Sequence, residues 1–182
     1  MKRIMWLCVG LSAVSLMLLG CSTKPKTVEG QAQLSGKVDH VVSVAKMTDP
    51  GLQKFFDTAT GYAVFPTVGK GAIGVGGAYG KGELYQAGSR VGYCTLTQAS
   101  IGLALGGQAY TELIFFEDQK ALDRFKSGNC TFSAQASAVA LKSGASANAK
   151  YADGVAVFTM GEEGLMFEAS IGGQKFSYEP AQ

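Results

Sequence analysis

The chain has 182 residues, 47% of them apolar, and carries 16 Lys and Arg against 14 Asp and Glu. Two of the cations, Lys2 and Arg3, fall in an N-terminal targeting segment, so the remainder is balanced at 14 to 14 and exerts no global pull on nucleic acid. A single histidine, His40, excludes a His-rich metal centre, and no Gly-x-Ser-x-Gly occurs, so the expectation is no catalytic residue, no metal and no cofactor.

Lys2 and Arg3 precede an apolar run from Ile4 to Leu19 that is too short for a confident membrane span, which predicts a secretory signal over residues 1–20. The run closes on Leu18-Leu19-Gly20-Cys21, which resembles the lipobox of bacterial lipoproteins, where the cysteine thiol receives a diacylglyceryl group. Cys21 is therefore the expected lipid anchor. Ser22 follows it where an aspartate would retain the protein at the inner membrane, so the expected location is the periplasmic face of the outer membrane. Residues 21–36, polar and with Pro25 and Gly30, read as the lipidated N-terminus and a flexible tether.

One folded domain is expected over residues 37–182. Val38, Val41, Val42 and Ala45 recur at helical spacing from Lys37 onward. Asp49-Pro50 interrupts that pattern, with Asp49 as a cap and Pro50 at the first helical position. A second short helix then places Leu52, Phe55, Phe56 and Ala59 on one face. A third is predicted at Asp118–Lys126, with Ala121, Leu122 and Phe125 inward and Gly128 ending it. The other segments read as eleven short strands, from Tyr62–Phe65 to Lys175–Tyr178 and including Phe132–Leu141, Ser146–Tyr151 and Leu165–Ile171. Such closely spaced strands predict an α+β, mainly β fold: a small antiparallel β-barrel core with about three short helices packed on it.

The glycine-rich stretch Gly69 to Glu83 contains the letters Gly69-x-Gly71-x-x-Gly74 of a dinucleotide loop. That loop needs a strand before it and a helix after it, and Val75-Gly76-Gly77-Ala78-Tyr79 starts no helix. The stretch is read as a hairpin, and no nucleotide is expected. The glycine pairs Gly76-Gly77, Gly106-Gly107 and Gly172-Gly173, each followed by an aromatic, suggest repeated turns built on positive φ. With Cys8 lost in the signal and Cys21 in the anchor, Cys94 and Cys130 remain. Either they form a disulfide in an oxidising envelope or both are small buried apolar residues.

Several ordered blocks then carry a resemblance: Gly61-Tyr-Ala-Val-Phe-Pro66, Gly69-Lys-Gly71, Gly74-Val-Gly-Gly77, Gly102 to Gln108, Asp123-Arg-Phe125, and Tyr151-Ala-Asp-Gly-Val-Ala-Val-Phe158 through Gly173. Together they resemble the SYLF domain family. The resemblance implies a β-barrel core with packed helices and binding of membrane phospholipids, with anionic headgroups favoured. Where many members have a tryptophan-serine-x-proline block, this chain reads Ser89-Arg-Val-Gly-Tyr-Cys-Thr-Leu96. The actin coupling of eukaryotic members does not carry over to a protein placed in a bacterial envelope.

The function expected is therefore an outer-membrane-anchored lipoprotein that binds phospholipids, and not an enzyme. The alternative is an envelope structural or protein-interaction module with no lipid beyond its own anchor. Between Gly61 and Ala109 the cations are Lys70, Lys81 and Arg90, opposed by Glu83 alone. These three are the expected headgroup-binding patch, with Tyr79 and Tyr85 at the interface; the competing reading is of solvated charges at strand ends.

Overall fold

The computed structural model describes residues 22–73, 75–101, 106–130, 138–161 and 173–181. In chain order these form α1 (Val28–Thr48), a 3-10 turn (Pro50–Leu52), α2 (Gln53–Thr58), β1 (Gly61–Ile73), β2 (Val75–Gln86), β3 (Ser89–Ile101), β4 (Gly106–Phe116), α3 (Gln119–Lys126), β5 (Val139–Ala140), a second 3-10 turn (Ala145–Ala147), β6 (Val155–Gly161) and β7 (Gln174–Pro180). The expected class, α+β and mainly β with three α-helices among the described residues, is what the chain adopts.

The expected barrel is not. The described strands make one seven-stranded sheet in the order β5-β6-β4-β1-β2-β3-β7, antiparallel except for the two-residue β5–β6 pairing, and β5 and β7 do not meet. Closure requires the two edge strands to pair. Here the apolar faces are covered by helices instead. α1 and α2 lie over one face, with Leu34, Val38, Phe55, Val64, Leu113 and Phe158 in one core. The other face packs Phe65, Leu84, Leu96, Ile114 and Phe116 against Leu122 and Phe125 of α3.

Helix boundaries follow local chemistry. Thr27 caps α1 by accepting the Gly30 N–H, Asp49 caps the 3-10 turn by accepting the Gly51 N–H, and Asp118 caps α3 by accepting the Ala121 N–H. Gly128, at φ +74°, ends α3 where predicted. α1 begins at Val28, well inside the stretch read as a tether. Its Leu34 is buried on the sheet, and that contact extends the helical pattern upstream of Lys37.

The short strands predicted between Tyr62 and Phe116 fuse into four long ones. Most of the glycines read as turn markers lie inside the ladder: Gly71 pairs with both Gly77 and Gly107. Gly82 shows what a glycine does there. A Cβ at this position would meet the Val64 carbonyl oxygen at 2.3 Å and Phe65 Cδ1 at 2.8 Å, so its absence lets the Phe65 ring lie across the strand. The glycine-rich stretch is a hairpin, β1 turning into β2 between Ile73 and Val75. The β2–β3 turn is Ala87-Gly88, both at positive φ, a two-residue connection of the type I′ kind. Ser146–Tyr151 is not a strand: Gly144 at φ +77° opens a 3-10 turn, and the Ser146 N–H is taken by Asp49. Residues 1–21, most of Phe132–Leu141 and all of Leu165–Ile171 lie outside the described residues.

A candidate ligand cleft and its charged surroundings

α1 crosses the sheet along one rung. Tyr93, Glu83, Val64, Leu113 and Phe158 are successive cross-strand partners on β3, β2, β1, β4 and β6. Above them, Gln31 accepts from the Tyr93 hydroxyl (3.0 Å), Ser35 donates to Glu83 (2.7 Å), and Val38 and Val41 enter the apolar core. Glu83 is fully buried and well paired. Its Oε1 also accepts from Arg90 (2.8 Å) and its Oε2 from the Tyr85 hydroxyl (2.8 Å). A carboxylate can occupy this depth because each of its oxygens is hydrogen-bonded and a guanidinium neutralises it.

One rung further toward the β1–β2 hairpin tip, the sheet and helix part. Gln33, Lys37, His40, Val44 and Thr48 share one flank of α1 and face Thr67, Thr111 and Met160 across a cleft of about 830 Å³. The volume is in the range of small-molecule sites. Pro66 and the Thr111 hydroxyl shape its floor: a register shift in β1 between Phe65 and Val68 turns the Pro66 carbonyl toward Thr111, which donates to it at 2.9 Å. The walls mix Val41, Val44, Leu141 and Met160 with hydroxyl and amide groups. Lys37 and His40, both exposed, stand at the rim.

The expected headgroup patch does not form as one cluster. Lys81 lies on the α1 face of β2, where its ammonium donates to the Ser22 carbonyl (3.0 Å). Arg90 lies on the same face, engaged with Glu83 and Ser35. Lys70 is the cross-strand partner of Ala78 and shares the opposite face with Val68. Side chains alternate along a strand, so a sheet layer separates Lys70 from the other two. Tyr85 stacks on Tyr62 at 5.1 Å and is committed to Glu83, while Tyr79 is exposed. What the sequence reading missed is the flank Gln33, Lys37, His40, Val44. The signal was present as a helical spacing that continues the α1 pattern on its polar side, but only the bulge in β1 makes a cavity beneath it.

Cys94 and Cys130 are free thiols buried in the same α3-side core, and Cys21 lies outside the described residues. Burial pushes the Cys94 thiol well up, and pushes Cys130 up to about 11 against the opposing pull of Arg124. A second buried polar group sits on the α3-side face. Glu112 accepts from Gln174 Nε2 (2.9 Å), and Thr159 is its neighbour across the β4–β6 ladder. Burial lifts the Glu112 carboxyl to about 7, with Gln174 and Tyr110 holding it down. Glu112 Oε1, Gln174 Oε1 and Thr159 Oγ1 have no protein partner. Among the described residues no group of three or more His, Cys, Asp and Glu is placed to hold a metal ion.

The described residues thus form a largely antiparallel sheet covered by helices on both faces, with a mixed cleft beneath the first helix. Residues 97–180, a little under half of the chain, match the family described as Ysc84, Las17-binding protein actin regulator, a match that agrees with the SYLF resemblance of the ordered blocks. The chain is also 29% identical over 162 residues to beta cell expansion factor A of Aeromonas veronii, an alignment covering 84% of this chain. It spans 59% of that relative's length. The β1–β2 hairpin precedes the stretch matched by the family.

Proposed function

We propose that this chain is an envelope lipoprotein whose SYLF-type domain binds phospholipids, with one amphiphile held in the cleft beside α1. The observation that carries this reading is the composition of the cleft: Val44, Leu141 and Met160 offer an apolar wall to an acyl chain, and Lys37 and His40 stand where a phosphate would emerge. The flank from Gln33 to Thr48 spans about 22 Å of helix, the length of a long acyl chain. Lys37 supplies the preference for anionic over neutral headgroups, since one cation near an anionic surface contributes about 1 kcal/mol. Arg90 and Lys81 already have partners within the protein, so the headgroup role passes from the β2–β3 cations to the helix flank. Anchoring through Cys21 to the outer membrane completes the reading.

The test is vesicle co-sedimentation of the mature chain made without its lipid. Wild type is expected to bind vesicles containing phosphatidylglycerol more tightly than neutral ones. Lys37→Glu should weaken anionic binding by at least fivefold, since charge reversal removes more than the ~1 kcal/mol of one cation. Val44→Asp should weaken binding to both vesicle types. Unchanged binding by both variants would remove the cleft from the site. Absence of vesicle binding by the wild type would leave the protein-interaction reading.

A further inference from the structure

The segment that would join the anchor to the domain is bound to the sheet. The Ser22 carbonyl accepts from Lys81 Nζ (3.0 Å), the Lys24 N–H donates to Glu179 Oε2 on β7 (3.1 Å), and Gln31 donates back to the Pro25 carbonyl (3.1 Å). Thr23 between these contacts is 8% exposed. Six residues, Ser22 to Thr27, thus have polar contacts at both ends before α1 begins. Lys81 is the direct cross-strand partner of Thr67, and Thr67 lines the cleft. Lys81, which holds Ser22, and Thr67, which lines the cleft, therefore lie side by side on the α1 face of the sheet, about one strand spacing apart. Cys21 is one residue from Ser22, and consecutive Cα atoms are about 3.8 Å apart.

We propose that this docked segment fixes the orientation of the domain on the bilayer, holding the cleft beside α1 against the leaflet that carries the Cys21 anchor. The partner surface is the lipid bilayer itself. A slack tether of fifteen or so residues would let the domain rotate freely. A clip at the first residue after the anchor removes that freedom and leaves only the face bearing Ser22, Lys81 and the cleft within reach of the lipid. Lys24, whose ammonium lies 5.8 Å from the centre of the Tyr93 ring, and the exposed Lys26 add positive charge to this same segment. An amphiphile would then pass laterally between leaflet and cleft without crossing open water. The inference rests on the lipoprotein reading above and deepens it.

The chain's one tryptophan, Trp6, is lost with the signal, so single tryptophans report position without background. Lipidated mature protein would be placed in vesicles of brominated phosphatidylcholine and phosphatidylglycerol, with a tryptophan at the cleft rim (His40→Trp) or on α3 across the sheet (Lys120→Trp). Quenching at the rim is expected to exceed that on α3 by at least twofold. Adding Lys81→Ala and Glu179→Ala, which remove both partners of the segment, should bring the two positions toward equality. Equal quenching in the clipped protein, stronger quenching on α3, or a mature chain whose mass shows an unmodified Cys21 would each overturn the proposal. Unlipidated wild type that still binds vesicles in that case would leave phospholipid binding standing and the orientation alone refuted.

Discussion

Glu112 sits in an environment far from its solution preference. It is wholly buried on the α3-side face, one of its oxygens has no protein partner, and its carboxyl titrates near 7 against an ordinary 4.5, chiefly because burial disfavours the charge. A carboxyl with a raised folded pKa binds its proton more tightly in the native state. Its contribution is therefore fully present below about pH 4.5, falls as pH rises toward about 7 and is absent above it. The span corresponds to roughly 3 kcal/mol. Glu112→Gln removes the charge and gives the position an N–H₂ to offer Gln174 Oε1 or Thr159 Oγ1. The variant is expected to gain about 1–3 kcal/mol over wild type at pH 8 and little at pH 4.5, measured by urea unfolding at both values. A wild type whose stability does not fall between those pH values would show Glu112 to be ionised and paired.

Among the elements, α1 is held to the sheet by a polar network as well as by apolar contact. Arg90 joins Ser35 of the helix (2.7 Å) to Glu83 of β2 (2.8 Å) and lies over the Tyr93 ring at 5.0 Å. Removing it leaves a buried carboxylate with only hydroxyl partners. Breaking a buried pair in this way is strongly destabilising, but the Arg90 side chain is 34% exposed and water replaces part of the loss. Arg90→Ala is therefore expected to cost about 1–3 kcal/mol in urea unfolding. Lys70→Ala, on the other face, should fall within about 0.5 kcal/mol of wild type. An Arg90 substitution consequently reports on helix docking, and a combined Lys70, Lys81 and Arg90 variant would confound lipid binding with stability. The sequence displayed all three cations but not their partners, because Ser35 lies 55 residues from Arg90.

For the whole molecule, the two cores on opposite faces of the sheet determine what solvent can reach. Cys94 and Cys130 belong to the α3-side core together with Phe65, Phe125 and Phe176. Burial, which raises both thiol pKa values, also blocks approach of a reagent. Neither thiol should react appreciably with iodoacetamide in the native protein, and both should be labelled once the unreduced chain is denatured. Labelling of neither after denaturation would reveal a disulfide, and prompt labelling in the native state would mean that this face opens. The N-terminal segment acts at the same scale, since its contacts with Lys81 and Glu179 tie Ser22 to Thr27 to the central and edge strands of the sheet.

The sequence by itself determined whatever depends on neighbours in the chain. The cap Asp49, the start of α3 at Asp118, the inward face of α3, the Gly128 stop and the hairpin between β1 and β2 were all legible, because each is a short-range matter of backbone donors, side-chain acceptors and helical spacing. Rejection of a nucleotide loop followed from the same local logic. Tertiary structure decided what long-range pairing decides. In-register strands absorbed Gly71, Gly77 and Gly107 into the ladder, since a glycine permits a tight turn and a close-packed strand equally. Whether the sheet closes depends on edge strands far apart in sequence, and the helices on its two faces are what cover the apolar surface of an open one. The cleft exists because a register shift beside Pro66 meets the polar flank of a helix some thirty residues away, a coincidence of position that no local pattern encodes.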